Sequence, residues 1–268
     1  MSKKRPLGIF SWFGFMMALP QRLELIKKAG FEATSLWWED EVYPRRIPKE
    51  DMVAMVRDWD LVLDNIHAPF TDLNKLWSTS AREREEIVNI HRRMLEECAR
   101  FDIPVMVMHV VEGDNPPAPH GEGVKSMETL VRTAEELGVK IAVENTRRAD
   151  SLELILREIP SPNLGLCYDS SHANLMPPLG TTLLTEFGQR LMATHLSDND
   201  GQVDRHWLPG HGEIDWQELG QYFPTDYQGC LTMEVVANEE ERKGAPEDFL
   251  RLAVERITWL HDLWQSEA

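Results

Sequence analysis

Short apolar runs alternate with amphipathic segments along the whole chain. The runs, which we predict to be strands, cover 7–12, 33–38, 61–66, 105–110, 140–145, 164–169, 191–196 and 230–235. The intervening segments, which we predict to be helices, lie near 20–29, 48–59, 81–100, 123–137, 151–158, 182–190, 215–222 and 246–264. Strands that alternate with helices favour a parallel sheet, and continuous apolar runs fit strands that are covered on both faces.

Local signals support several helix boundaries. Pro48 and Pro246 suit the first turn of a helix, and Gly30 and Gly138 stand where a C-terminal cap belongs. The last segment repeats apolar residues at three- and four-residue steps, namely Phe249, Leu250, Ala253, Ile257, Leu260 and Trp264. This spacing predicts one apolar stripe on a helix that packs against a core.

The number of strand–helix units decides the predicted fold. Eight units in 268 residues predict a closed (β/α)8 TIM barrel that spans residues 1–268 as a single domain. A doubly wound open sheet is the structural alternative, but no glycine-rich phosphate loop follows the first apolar run. No linker divides the chain, and the segment PPAPHGEG at 116–123 is too short to be a domain boundary.

The N-terminus has some features of a signal peptide, because KKR at 3–5 precedes the apolar stretch LGIFSWFGFMMALP. Gly8, Ser11 and Gly14 interrupt that stretch, and no small-residue cleavage site follows it. We therefore interpret it as the first strand and its exit loop. No other stretch approaches the length of a membrane span, so we expect no membrane partner.

Charge and cysteine content restrict the partners and the compartment. The net charge is −17, and the basic clusters at 3–5, 45–46, 92–93 and 147–148 are short and dispersed. Such a chain repels polyanions, which argues against a nucleic acid partner. The three cysteines form no CxxC motif, so we expect reduced thiols in a cytoplasmic protein. The sequence leaves open whether the protein forms a homo-oligomer.

Metal-binding residue types follow six consecutive predicted strands, from the third to the eighth. They are His67, His109, Glu144, Asp169, His195 and Glu234. Further candidates are His172, three residues beyond Asp169, and Asp204 and His206 in the segment 195–216. The carboxyl ends of barrel strands meet at one mouth, where barrel active sites lie, so we expect these side chains to converge.

Each residue alone has an ordinary structural explanation. A histidine near a strand end is often a hydrogen-bonded structural residue, and an aspartate there often caps a helix. That explanation would have to hold six times in register. A structural explanation is preferred for His91, His120 and His261. For His211 and Glu213 the favoured explanation is a solvated loop, and a role in the site stays open.

Clustered carboxylates repel one another unless a cation neutralises them, so the set predicts a divalent metal. Nitrogen and oxygen donors without a thiolate favour Zn²⁺, Mn²⁺ or Co²⁺ over Ca²⁺ or Mg²⁺.

Four segments carry a family resemblance: IAVENT (141–146), LGLCYDSSHAN (164–174), HLSDNDGQVDRHWLPGHGEIDW (195–216) and LTMEV (231–235). They resemble the xylose-isomerase-like TIM barrels, a superfamily that joins sugar isomerases and epimerases to endonuclease IV. The resemblance covers nearly the full chain. It implies that a catalytic metal, Zn or Mn, is bound by the residues that end strands five to eight, namely Glu144, Asp169, His195 and Glu234.

Two branches of the superfamily compete. The isomerase and epimerase branch needs only that one metal, whereas endonuclease IV uses three zinc ions and five further ligands. The matching positions hold His67, His109, His172, Asp204 and His206, so all nine are filled. The segment VDRH (203–206) resembles the nuclease, and in ketose epimerases an arginine often stands in place of His206. The acidic surface, the segment LWWED (36–40) and the lack of a proline after Glu234 argue against the nuclease.

The resemblance therefore implies a divalent-metal-dependent isomerase or epimerase of a small sugar or sugar phosphate. The metal would stabilise an enediolate, with Glu144 and Glu234 as acid and base, and His172 would contact a substrate oxygen or the metal. Alternatives are a multi-zinc phosphodiesterase of the endonuclease IV type and a barrel that binds without catalysis.

Further residues are candidates for substrate contact. Trp12, Trp37 and Trp38 stand near strand ends, where they would either stack on a sugar or simply pack. Asp204 and His206 should point the same way, because side chains of an extended segment alternate with a period of two. Arg205 would then point elsewhere, towards a substrate anion or a neighbouring acid.

Overall fold

Eight parallel strands form a single sheet in the computed structural model, which describes residues 5–266. Lys3 and Lys4 and the last two positions of the predicted 1–268 domain lie outside the described residues. The strands are β1 Leu7–Phe10, β2 Ala33–Trp37, β3 Val62–His67, β4 Val105–Met108, β5 Lys140–Glu144, β6 Leu164–Asp169, β7 Leu191–His195 and β8 Leu231–Met233.

The sheet closes into a barrel, as predicted. Strands β1 to β7 pair in chain order, and β8 pairs with β1. Leu196, just after β7, forms a parallel bridge with Met233, and its N–H donates to the Thr232 carbonyl at 3.0 Å. These contacts join β7 to β8, so the doubly wound open sheet is excluded.

The helices lie between the strands as the (β/α)8 pattern requires. They are α1 Leu19–Ala29, α2 Lys49–Asp58, α3 Ala81–Arg100, α4 Gly121–Leu137, α5 Asp150–Glu158, α6 Ser170–Asn174, α7 Leu179–Phe187, α8 Trp216–Gly220 and α9 Pro246–Ser266. Gly30 and Gly138 end α1 and α4 with φ angles of 106° and 69°, which confirms the predicted caps. Pro246 begins α9, while Pro48 precedes α2 by one residue.

Two features of the helical layer differ from the prediction. The short helix α6 follows β6 directly, because the side chain of Asp169 accepts a hydrogen bond from the N–H of His172 and so caps it. The helix predicted at 182–190 begins earlier, as α7 at Leu179, and its last three residues form a 3-10 turn. A five-residue helix is too short for a hydrophobic period to reveal it.

The apolar side chains divide into two cores. Five small buried residues, Val105, Val107, Ala142, Cys167 and Ala193, pack together inside the barrel. The larger core lies between the strands and the helices, and the predicted stripe of α9 belongs to it, with Ile257 and Leu260 fully buried. Small residues inside and large ones outside suit the limited volume of an eight-stranded barrel.

The predicted first strand is part of this structure. β1 pairs with β2 on one side and with β8 on the other. Arg5, just before it, is buried and donates hydrogen bonds to backbone carbonyls of Tyr227 and Pro224. Among residues 5–266, no helix is both long and apolar enough to cross a membrane.

A buried carboxylate organises the loop between β7 and α8. Asp198 has no exposed surface, and its two oxygens accept four hydrogen bonds. Oδ1 accepts from the N–H groups of Asn199 (2.9 Å) and Ile214 (3.2 Å), and Oδ2 accepts from the N–H of Gly210 (2.7 Å) and the indole of Trp216 (2.9 Å). A single side chain therefore fixes the start, the turn and the end of the segment that carries Asp204 and His206.

We predict that Asp198→Asn lowers the free energy of unfolding by roughly 1.5–3 kcal/mol, because an amide NH₂ cannot accept from the donors that face it. Urea denaturation measures the loss. Asp226→Asn is the matched control, because Asp226 is exposed. Equal stability of the two variants would contradict the organising role of Asp198.

Candidate active site and metal centre

The strand ends bring the predicted residues to one mouth. His67, Glu144, Asp169 and His195 are the last residues of β3, β5, β6 and β7. His109 and Glu234 directly follow β4 and β8. Because parallel strands in register end at the same rim, these side chains converge without help from the long loops.

Glu144 is the centre of this arrangement. Its carboxylate is buried, and four histidines surround it. Oε2 lies 3.0 Å from His67 Nε2 and 3.0 Å from His195 Nδ1, and Oε1 lies 3.3 Å from His109 Nε2 and 3.3 Å from His172 Nδ1. A buried carboxylate with this number of nitrogen neighbours is suited to bridge cations or to exchange a proton.

Four residues offer ligand atoms to one ion. Atoms of Glu144, Asp169, His195 and Glu234 all lie within 4.8 Å of one another. His195 Nδ1 is 3.1 Å from Glu234 Oε2. Among the described residues, Asp169 Oδ2 and both ring nitrogens of His195 are buried without a hydrogen-bond partner. Buried polar atoms without partners are rare, and their convergence fits a divalent cation.

Three histidines of the mouth have their Nδ1 atoms beside backbone carbonyls. The Nδ1 atom of His67 lies 2.8 Å from the carbonyl of the next residue, that of His172 lies 2.9 Å from the Asn145 carbonyl, and that of His206 lies 3.0 Å from the Glu234 carbonyl. A carbonyl can only accept, so each Nδ1 carries a proton. Each Nε2 faces a carboxylate, which is Glu144 for His67 and Asp204 for His172 and His206. Metal-binding histidines commonly donate their other nitrogen in this way.

Asp204 joins the mouth through His172 and His206, as predicted. Its Oδ2 lies 3.3 Å from His172 Nε2 and 2.9 Å from His206 Nε2, and its Oδ1 accepts a hydrogen bond from Ser171. The predicted cause was wrong. His206 has a φ angle of 50°, so the segment is a turn and not an extended strand.

A second group of possible ligands lies on the other side of Glu144. Nitrogen atoms of His67 and His109 and an oxygen of Glu144 lie within 4.8 Å of one another. The ring of Phe70 stacks on His109 with centroids 5.1 Å apart, which shields this side of the mouth. Glu144 therefore belongs to both groups, as a bridging ligand would.

Burial and the charge of neighbouring histidines have opposite effects on the pKa values of the carboxyl groups at the mouth. Burial raises the pKa of Asp169 to about 7, assisted by the charges of Glu144 and Asp204 and opposed by His172. Burial also acts to raise the pKa of Glu234, but His195 and His206 outweigh it and lower that pKa to about 2. The pKa of Glu144 is held well below its usual value, because the histidine contacts outweigh its burial. The site thus collects anionic oxygen that requires positive charge beside it.

Two of the three predicted tryptophans face the mouth. The indole of Trp37 stacks on His67 with centroids 5.1 Å apart, and its N–H donates to Glu39 at 2.6 Å. Trp12 is 36% exposed and lies beside Arg22, whose Cζ is 5.4 Å from the ring centroid. Both line a cavity that also contacts Glu234.

The structure corrects the interpretation of Trp38 as a substrate contact. Trp38 is 1% exposed, and its N–H donates to Glu97 of α3 at 2.6 Å. It follows β2 and faces the helical layer, because successive side chains of a strand point to opposite faces. Arg205 pairs with Asp200 at 2.9 Å, so of its two predicted partners the structure shows the neighbouring acid.

The histidines that were given structural explanations lie away from the mouth. His91 Nδ1 lies 3.0 Å from the Ile87 carbonyl within α3, His120 caps α4, and His261 is buried on α9. His211 and Glu213 are exposed, which agrees with the favoured solvated loop.

Two residues of the site were not predicted from the sequence. Cys167 Sγ lies within 4.8 Å of ligand atoms of Glu144 and His195, although no sulfur donor was expected. Its position two residues before Asp169 on the same strand could have revealed it. Burial raises the pKa of this thiol to about 12. Asn145 joins β5 to β6, because its side chain donates to the Asp169 carbonyl and accepts from the Asp169 N–H.

Known proteins resemble the chain over half to nearly all of its length. An uncharacterized protein of Methanocaldococcus jannaschii is 27% identical and aligns over 93% of this chain and 91% of its own. The fructoselysine 3-epimerase of Escherichia coli is 25% identical over 51% of this chain and 52% of its own length, so the chain spans about half of that relative. The crystal structure of a D-tagatose 3-epimerase-like protein superposes with a TM-score of 0.73 at 24% identity and covers 98% of both chains.

The family profile agrees with the fold and with the mouth. The profile of the xylose isomerase-like TIM barrel matches residues 23–254, from within α1 to within α9. That range includes every predicted ligand described above. The chain belongs to the xylose isomerase-like TIM barrel family.

Proposed function

We propose that this protein is a metal-dependent epimerase or isomerase of a small sugar. The observation that carries the proposal is the convergence of ligand atoms from Glu144, Asp169, His195 and Glu234 at the barrel mouth, where Asp169 Oδ2 and both His195 ring nitrogens lack hydrogen-bond partners. The similarity to the fructoselysine 3-epimerase and to the D-tagatose 3-epimerase-like protein supports the same class of reaction.

The donor set suits zinc or manganese. It combines carboxylate oxygens with an imidazole nitrogen, whereas calcium and magnesium prefer oxygen alone. When bound, a divalent cation would polarise the substrate carbonyl and acidify the neighbouring C–H bond. The groups around His109 and around Asp204 could hold further ions, so one to three per chain is the proposed range.

Glu144 and Glu234 are the proposed acid and base. One oxygen of each lies near His195 Nδ1, at 3.0 and 3.1 Å, and the two residues arise from strands separated by β6 and β7. One glutamate would take the proton from the carbon next to the carbonyl, and the C–H electron pair would move into that carbonyl. The other would return a proton to the opposite face, which inverts the carbon. His172, beside Asp204, would hold a substrate oxygen.

A multi-zinc phosphodiesterase is the alternative that nine filled ligand positions allow. The relatives described above give it no support, and the acidic surface repels a polyanionic substrate. His206 is not one of the four ligand residues, and its Nε2 lies 2.9 Å from Asp204 Oδ2, so its replacement distinguishes the two functions.

We predict that Glu144→Gln and Glu234→Gln each lower turnover of a ketose substrate by about 10²–10⁴-fold or more, because an amide cannot carry the proton. Chiral chromatography of sugar epimers measures turnover, and elemental analysis checks that metal is retained. During turnover by the unmodified protein, deuterium from the solvent should enter the carbon that is inverted. The extent of incorporation is reduced if the abstracted proton returns to the same substrate molecule. Glu158→Gln, at an exposed glutamate of α5, is the control. Near-normal turnover in Glu144→Gln or Glu234→Gln would contradict the acid–base assignment.

We predict that chelation abolishes turnover and that Mn²⁺ or Zn²⁺ restores it. His195→Ala should weaken metal binding by more than the roughly 10–100-fold that loss of an outer-shell partner costs. Metal content per chain after dialysis measures this, with His211→Ala as a control at an exposed histidine. Equal metal content in the two variants would contradict the proposed centre.

We predict that His206→Ala raises KM for the sugar while kcat changes little, because His206 lies beyond the four-ligand group. Steady-state kinetics and metal analysis test this together. If the unmodified protein cleaves a phosphodiester and His206→Ala loses both that activity and a bound ion, the alternative function is favoured instead.

A further inference from the structure

A cavity of about 520 Å³ opens from the metal centre towards the loops after β1 and β2. Glu234 and His206 form its inner end, so it is continuous with the site proposed for the sugar. Volumes of this size accommodate drug-sized ligands, and a simple sugar at the metal would leave most of the space unfilled. The cavity therefore indicates a substrate with a second, bulky part.

The inner wall of the cavity is apolar. Phe10, Leu36 and Met52 line it and are buried. A polyol tail placed against them would leave hydroxyl groups without partners, which costs free energy. An apolar group would instead gain from the same surface.

The rim of the cavity exposes apolar side chains to solvent. Met16, Val42 and Tyr43 are 61%, 76% and 63% exposed, and all three line the cavity. Exposed apolar side chains that gather around one opening mark a binding surface. They would cover the outer part of a group that extends from the sugar.

Two indoles are held in fixed orientations on this wall. Trp37 is fixed by the hydrogen bond to Glu39 and by stacking on His67, and Trp12 lies over the guanidinium of Arg22. Rings that are oriented before binding favour an aromatic partner, which stacks without further ordering.

The charged residues of the wall disfavour an anionic ligand. Arg22 is 5% exposed and forms an ion pair with Glu41, which also accepts a hydrogen bond from the Leu19 N–H. Glu39 and Asp40 add two further carboxylates to the lining. Excess negative charge repels an anion, so a neutral group fits best.

We propose that the sugar substrate carries a neutral aromatic group, which this cavity binds while the sugar occupies the metal centre. The proposal rests on the proposed function and narrows its substrate class to aromatic sugar conjugates. The aromatic group lies between Trp12 and Trp37, and the apolar rim shields it from water.

The test compares benzyl and methyl ethers of the four D-ketohexoses, substituted at C1 or at C6, by calorimetry with the Mn²⁺-loaded protein. For at least one matched pair we expect the benzyl ether to bind about 10–100-fold more tightly, the gain typical of burying one phenyl group. Equal affinities within every pair, with the free ketohexoses still bound, would overturn this inference alone. If neither ethers nor free ketohexoses bind, the proposed function fails and the inference with it.

Val42→Asp places a charge on the rim and should lower the benzyl-to-methyl affinity ratio by about fivefold or more. Val62→Asp is the matched control. Val62 is 52% exposed and begins β3, at the opposite end of the barrel, so its ratio should not change. An unchanged ratio in Val42→Asp would overturn the proposal. So would sedimentation data in which Val42→Asp converts a dimer to a monomer, because the rim would then belong to an interface between two copies.

Discussion

The buried carboxylate of Glu144 is the constraint on which the mouth depends. An isolated anion inside a barrel carries a large desolvation penalty, so it requires positive charge or hydrogen-bond donors around it. His67, His109, His172 and His195 supply nitrogen on all sides at 3.0–3.3 Å. Replacing one of them removes a partner from a charge that cannot reach water. The residue types at three strand ends and on α6 are therefore coupled through one side chain.

Asp198 performs a comparable role for the loop, by a different mechanism. Its carboxylate has no exposed surface and accepts four hydrogen bonds, three of them from backbone N–H groups of its own loop. Glu144 gathers side chains from separate strands, whereas Asp198 gathers the backbone of one segment. The first contact set forms only when the barrel closes. The second contact set orders a long loop, and without it Asp204 and His206 would have no fixed position.

Much of the fold and of the site could be predicted because both follow from strand periodicity. Residues that end parallel strands must meet at one rim, so His67, Glu144 and Asp169 could be placed together from sequence spacing alone. Contacts that depend on backbone turns could not be predicted in the same way. The left-handed backbone of His206 replaced the expected extended segment, and α6 arose from a cap on Asp169. Of the two alternatives for Trp38, packing is the one that the structure shows, because adjacent residues at a strand end face opposite layers.

His206 illustrates why filled ligand positions do not by themselves decide the function. Its Nδ1 donates to the Glu234 carbonyl, and its own carbonyl accepts from the Val236 N–H at 2.9 Å. These two bonds attach the loop after β7 to the chain that leaves β8, directly beside the proposed acid–base glutamate. An arginine at this position could not reproduce the first bond in the same way, because its side chain is longer and more flexible than the imidazole ring. A histidine here is thus explained by the joining of these two segments, whether or not its Nε2 binds a metal, and the nine-residue pattern is compatible with sugar chemistry.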